Sequence, residues 1–134
     1  MGLYTGIRFK GIVKEELREG FETIALEGKW DEHWYGPCVE FGGKSRASFI
    51  PMGRLCYMPK EWHDDDLFDL AYNAPTGKWT FKCSLKNYDN TIEHFLELLP
   101  DIMESVGYLE IRPEGSETSS VYEMVDGVLR RWGS

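Results

Sequence analysis

Hydrophobic and polar positions alternate strictly near the start of the chain. Leu3, Thr5, Ile7, Phe9 and Val13 share one parity, and Tyr4, Arg8, Lys10 and Lys14 the other, which predicts a strand over 3–13 with one side buried. From Glu15 the apolar spacing lengthens to that of a helix, with Leu17, Phe21, Ile24 and Ala25 on one stripe, acidic residues in the first turn and Gly28 as the stop. Residues 29–46 are rich in aromatic and turn residues without a clear period, and read as a structured loop with a short helical turn. Residues 47–50 and 54–58 read as two short extended pieces joined at Pro51-Met52-Gly53, best suited to a sheet edge. A polar insert, 60–76, follows.

Residues 78–86 carry the cleanest alternation, Trp79, Phe81, Cys83 and Leu85 inward and Lys78, Thr80, Lys82, Ser84 and Lys86 outward. Asp89 or Asn90 then caps a second helix whose apolar stripe runs through Ile92, Phe95, Leu96, Leu99, Ile102, Met103 and Val106, bent or split at Pro100 and ended by Gly107. Tyr108–Arg112 reads as a strand, and the last residues as a hairpin turning at Asp126-Gly127. The order predicts an α+β fold of one domain, 1–134, with two helices on one face of a mostly antiparallel sheet. The expected arrangement is ferredoxin-like with an added C-terminal hairpin.

Composition narrows the functional classes. The chain has 134 residues and a formal net charge of −8, which disfavours a non-specific grip on nucleic acid unless the charges are segregated. No apolar run approaches the roughly 18 residues of a membrane span, and MGLYTGIRFKG lacks a hydrophobic signal core, so we expect a cytoplasmic protein. Cys38, Cys56 and Cys83 have no C-x-x-C spacing and read as small buried hydrophobes rather than a disulfide framework or a zinc site. No cofactor and no metal are expected. The Asp64-Asp65-Asp66 run lacks the glycine and distal glutamate of a calcium loop, and fits equally well as the cap of a helix through Leu67, Phe68, Leu70 and Ala71.

Charge is segregated along the pattern. Residues 15–28 hold five acidic side chains and one basic, and residues 89–106 five acidic and none basic. Arg8, Lys10, Lys14, Lys78, Lys82 and Lys86 all fall on the outward parity of the two clearest strands. Were those strands neighbours, the sheet's free face would be basic; Tyr4, Tyr108 and Arg112 would add stacking rings and a donor for a nucleotide or short RNA. The competing reading is an ordinary solvated sheet face. The aromatic cluster His33, Trp34, Tyr35, Tyr57, Trp62 and His63 has two readings as well, a partner-binding anchor or core filling beneath the long insert.

Catalytic signatures are absent: no phosphate-binding glycine loop, no G-x-S-x-G elbow, no H-E-x-x-H. A dyad of Cys38 with His33 or His63 is a weak residual option, and His94 reads as a boundary residue of the second helix. The stretches MGLYTGIRFKG, SFIPMGRLCYMPKEW and SLKNYDNTIEHFLELLP resemble small uncharacterised proteins of bacteriophages and mobile elements of Gram-positive bacteria. That resemblance carries no functional residue; it implies a non-catalytic inhibitor of a host process, anti-CRISPR and other counter-defence proteins included.

Two function classes follow. In the first, the chain binds and blocks a host protein through its acidic helices, Glu15, Glu19, Glu22, Glu93, Glu97 and Asp101 imitating nucleic-acid phosphates, with Trp34, Tyr35 and Trp62 as aromatic contacts. In the second, the basic sheet face, Tyr4, Arg8, Lys10, Lys78, Lys82, Lys86, Tyr108 and Arg112, captures a small anionic molecule such as a signalling nucleotide, or a short RNA. The hairpin near Trp132 offers an edge for a homodimer.

Overall fold

A computed structural model describes residues 3–132. Within them six strands form one antiparallel sheet: β1 (Tyr4–Val13), β2 (Ala71–Asn73), β3 (Lys78–Lys86), β4 (Met103–Pro113), β5 (Ser120–Val125) and β6 (Val128–Arg131), in the order β2-β3-β1-β4-β5-β6. The helices are α1 (Glu22–Glu27), α2 (Gly36–Gly42), α3 (Phe49–Met52), α4 (Lys60–Asp64) and α5 (Thr91–Ile102). The fold is α+β. Its first four strands follow the ferredoxin-like order, β1 in the centre and α5 crossing over it to join β3 to β4, and the β5–β6 hairpin extends the β4 side.

The alternation of β1 and β3 places Ile7 and Phe9 beside Cys83 and Phe81, in register, on the core face. Phe9 stacks on Phe81 with ring centroids 5.0 Å apart, and Phe95 of α5 meets both edge-on. Phe21, Trp30 and Phe41 complete this aromatic interior. The indoles keep their polar handles satisfied: Trp30 donates to the Ile50 carbonyl at 2.7 Å and Trp79 to that of Ala25 at 3.1 Å.

Several elements differ from the pattern-based expectation. The first helix breaks in two, a single turn at Glu15–Leu17 and then α1, because Gly20 takes a left-handed conformation (φ 80°) between them. Residues 47–58 form no edge strand. They hold α3 and then an extended run tied to β3 by Ser84, whose hydroxyl donates to the Arg54 carbonyl and accepts from the Cys56 N–H. The second helix stops at Ile102, two residues after Pro100, and Met103 begins β4 directly, so Met103, Val106 and Gly107 are strand residues. Pairing with β1 on one side and β5 on the other recruits them, with register shifts that absorb the extra residues. Asn87, rather than Asp89 or Asn90, satisfies the start of α5, its Oδ1 accepting from the Ile92 N–H at 2.8 Å. The hairpin turns at Asp126-Gly127 as expected, both residues at positive φ.

Candidate functional site

The sheet face expected to be free and basic is covered over its centre. The segment from Arg54 to Leu70, with α4 inside it, lies across it as a strap that buries Met58, Trp62 and Phe68 apart from the main core. Gly6 makes this possible: a Cβ there would sit 2.4 Å from the Met58 sulfur and 2.7 Å from the Trp62 ring. The strap therefore lies closer to β1 than any side chain at that position would permit.

Arg8 is the centre of the covered face. Its guanidinium clasps the Glu110 carboxylate through both Nε and Nη2, bonds Asp65 at 3.1 Å, and lies 4.5 Å from the centroid of the Trp62 ring and 5.1 Å from that of Phe68. Arg8 and Glu110 sit opposite each other on β1 and β4. Burial opposes the charge on Glu110, but Ser119, Arg8 and the Tyr108 hydroxyl outweigh it and hold its carboxyl below the ordinary value. The Tyr108 hydroxyl donates to Glu110 at 2.8 Å; the buried Ser119 hydroxyl favours the carboxylate without a hydrogen bond of normal geometry. Burial and the bond to Glu110 push the Tyr108 phenol up in turn.

Lys82 is used in the same way, donating to the carbonyls of His63 (3.2 Å) and Asp65 (2.8 Å) and pairing with Asp69 at 3.5 Å. The strap thus supplies the anions that this face was expected to take from a ligand. Glu110, on the same parity as Tyr108 and Arg112, was the legible sign that a basic face would be neutralised from within. Lys10 lies over the Phe68 ring at 5.6 Å and, with Lys78 and Asn73, borders an open cleft of about 420 Å³. Lys86 lies over Tyr4, in register with it on β3 and β1, and Arg112 is half-buried opposite Gly6.

The residues proposed for partner contact separate. Trp62 is 2% exposed and fills the interior under Arg8, so it is no surface anchor. Tyr35 packs half-buried against the core. Trp34 is 62% exposed, its ring stacked on His33. His33 is buried with both ring nitrogens engaged by backbone, Nε2–H donating to the Leu17 carbonyl and Nδ1 accepting from the Tyr35 N–H, which leaves it no role toward Cys38. Burial pushes the Cys38 thiol up to about 12 and raises that of Cys83 as well, the opposite of nucleophile activation. Among the described residues no group of three or more His, Cys, Asp or Glu is placed to hold a metal ion, and no helix is long and apolar enough to cross a membrane.

Part of the acidic set gathers, without Glu19 and Glu22. Glu97 and Asp101 of α5 line a shallow depression of about 210 Å³ with Glu40 of α2. At the end of α5, next to Asp101, Pro100 borders a second hollow with Glu15, Glu16 and Glu104. Glu93, one turn before Glu97, accepts from the Asn87 amide. Glu15, Glu19, Glu22, Glu93, Glu97 and Asp101 are all exposed, and among the described residues none forms an ion pair. Lys14 and Lys44, at the rims of the two hollows, are the interspersed cations. No family model, no curated protein and no solved structure matches the chain.

Proposed function

We propose that the protein is a non-catalytic binding protein that docks its acidic helical face on a basic surface of a protein partner and blocks it. The observation carrying this reading is the line of exposed carboxylates that form no ion pair among the described residues, Glu93, Glu97 and Asp101 along one side of α5, continued by Glu15 and Glu16 beyond Pro100. Residues four apart on a helix are spaced about 6 Å along the axis, so these three present charge at regular short intervals, as a nucleic-acid backbone does. Such a surface speeds association with a basic channel and gives it specificity. Exposed Trp34, just before α2, supplies the kind of aromatic contact on which interface energy concentrates. The resemblance to phage and mobile-element proteins makes a host defence factor the partner we favour.

The test compares wild-type protein with E93K/E97K/D101K as immobilised bait for host lysate, followed by a nucleic-acid-binding assay on whatever is retained. A protein held by wild type, released by about 0.5 M salt, lost on charge reversal and blocked from nucleic acid by the wild-type chain supports the reading. Retention that survives charge reversal, or no retention at all, overturns it.

A further inference from the structure

At one end of the sheet, away from the strap's buried ion pairs, α3 and the residues after it border a cleft of about 340 Å³ against the Tyr4 end of β1. Its walls are apolar and aromatic, from Tyr4, Phe49 and Met52, with Arg54 and Cys56 alongside and no carboxylate among the lining residues. Tyr57, which follows the lining residue Cys56, is 69% exposed, its ring 5.2 Å from that of Tyr4. Three cations surround these rings: Arg54 in the wall, Lys86 over Tyr4 at 5.6 Å, and Arg46 over Tyr88 at 4.7 Å and Phe49 at 5.8 Å. Among the described residues none of the three is paired with a carboxylate, in contrast to Arg8 and Lys82. Arg46 and Tyr57 both take positive φ (59° and 61°), a conformation few bulky residues adopt.

We propose that this cleft binds a nucleoside phosphate, the base lying against the aromatic rings of the wall, Phe49 and the Tyr4–Tyr57 pair, and the phosphate held by Arg54 with Lys86 beside Tyr4. A flat ring with an attached anion answers both features at once. Aromatic faces without a carboxylate accept any base, and unpaired guanidinium and ammonium groups supply the charge-assisted donors a phosphate takes. The volume falls at the lower end of small-ligand pockets, which run from about 300 to 1,000 Å³, and so suits a single nucleotide. The site is separate from the acidic face and goes beyond the proposed partner-docking role. It lies at the Tyr4–Lys86 end of the same sheet face, past the part where the strap already neutralises Arg8 and Lys82.

The full chain would be titrated calorimetrically with AMP, GMP, CMP and UMP, with the nucleosides and inorganic phosphate as controls and a single-stranded pentanucleotide as a second arm. Saturable binding of at least one monophosphate, tighter than its nucleoside or phosphate alone and weakened about tenfold or more in both R54A and Y57A, is the expected result. Both side chains are exposed, so circular dichroism should report an unchanged fold in each variant. The same sensitivity in the pentanucleotide arm, with the monophosphates silent, assigns the site to nucleotides of a strand and supports the same chemistry. No saturation in either arm up to about 5 mM, or saturable binding indifferent to R54A and Y57A, overturns it, and loss in K10A/K78A would then place the ligand in the other cleft. Because E93K/E97K/D101K should bind nucleotide as wild type does, failure here is distinguishable from failure of the partner-docking reading.

Discussion

Replacing Arg8 by alanine should be the most damaging single change on the strap face. Arg8 and Glu110 have side chains 15% and 8% exposed, so solvent screens the pair little, and Arg8 also joins Asp65 and the Trp62 ring. Removing one partner of such a buried pair leaves the other charge uncompensated, at about 3–5 kcal/mol. The lost cation–π contact adds about 1 kcal/mol. For a chain of this size the sum corresponds to roughly 15–20 °C in the unfolding midpoint. Urea unfolding of R8A near pH 7, followed by tryptophan fluorescence, measures it. Glu110→Gln provides the companion test, because it keeps the shape of the side chain and leaves Arg8 its bond to Asp65; its loss should be clearly smaller. The pH dependence carries a second signature. The Glu110 carboxyl lies below its ordinary value in the folded chain, so the unfolded chain binds the proton first as pH falls. Its stabilising contribution is therefore complete above the unfolded value and disappears as pH drops through the folded one. That portion of the acid sensitivity should be missing from E110Q. A loss below about 1 kcal/mol in R8A, or an acid profile unchanged in E110Q, would refute the claim that this cluster holds the strap on the sheet.

Two further outcomes are expected. Gly6→Ala should destabilise the chain by about 1–3 kcal/mol, because its Cβ meets Met58 and Trp62 in a packed interface; the urea midpoint checks this, and a neutral result would mean that the strap is not closely seated. Iodoacetamide at pH 8 should label Cys56 in the native protein and leave Cys38 and Cys83 untouched until denaturant is added, as mass spectrometry of the peptides would show. Early labelling of Cys38 would instead restore the case for a reactive thiol.

The amino-acid sequence by itself determined the elements whose pattern repeats locally. Alternation in 78–86 and 3–13 encodes β3 and β1, the stripe from Ile92 to Ile102 encodes α5, and Asp126-Gly127 encodes the closing turn, because parity and helical spacing depend on near neighbours alone. That was enough for the α+β layout, whereas the order of the strands, with β1 between β3 and β4, came from the packed chain. Where an element's ends depend on its pairing, local pattern misled: β4 claimed Met103 to Gly107 from the helix because β1 and β5 lie on either side of it. The fate of the basic face was likewise a tertiary matter. Outward parity of Arg8 and Lys82 was legible, but whether water, a ligand or the chain itself meets them depends on a segment 57 residues from Arg8 and 17 from Lys82 at Asp65, laid across Gly6. The acidic stripe on α5 was legible too, whereas its continuation past Pro100 to Glu15, and the meeting of Phe49, Arg54 and Tyr57 with the start of β1, came from the folding of distant segments onto one surface. Local periodicity says which way a side chain points, and only the packed chain decides what it meets there.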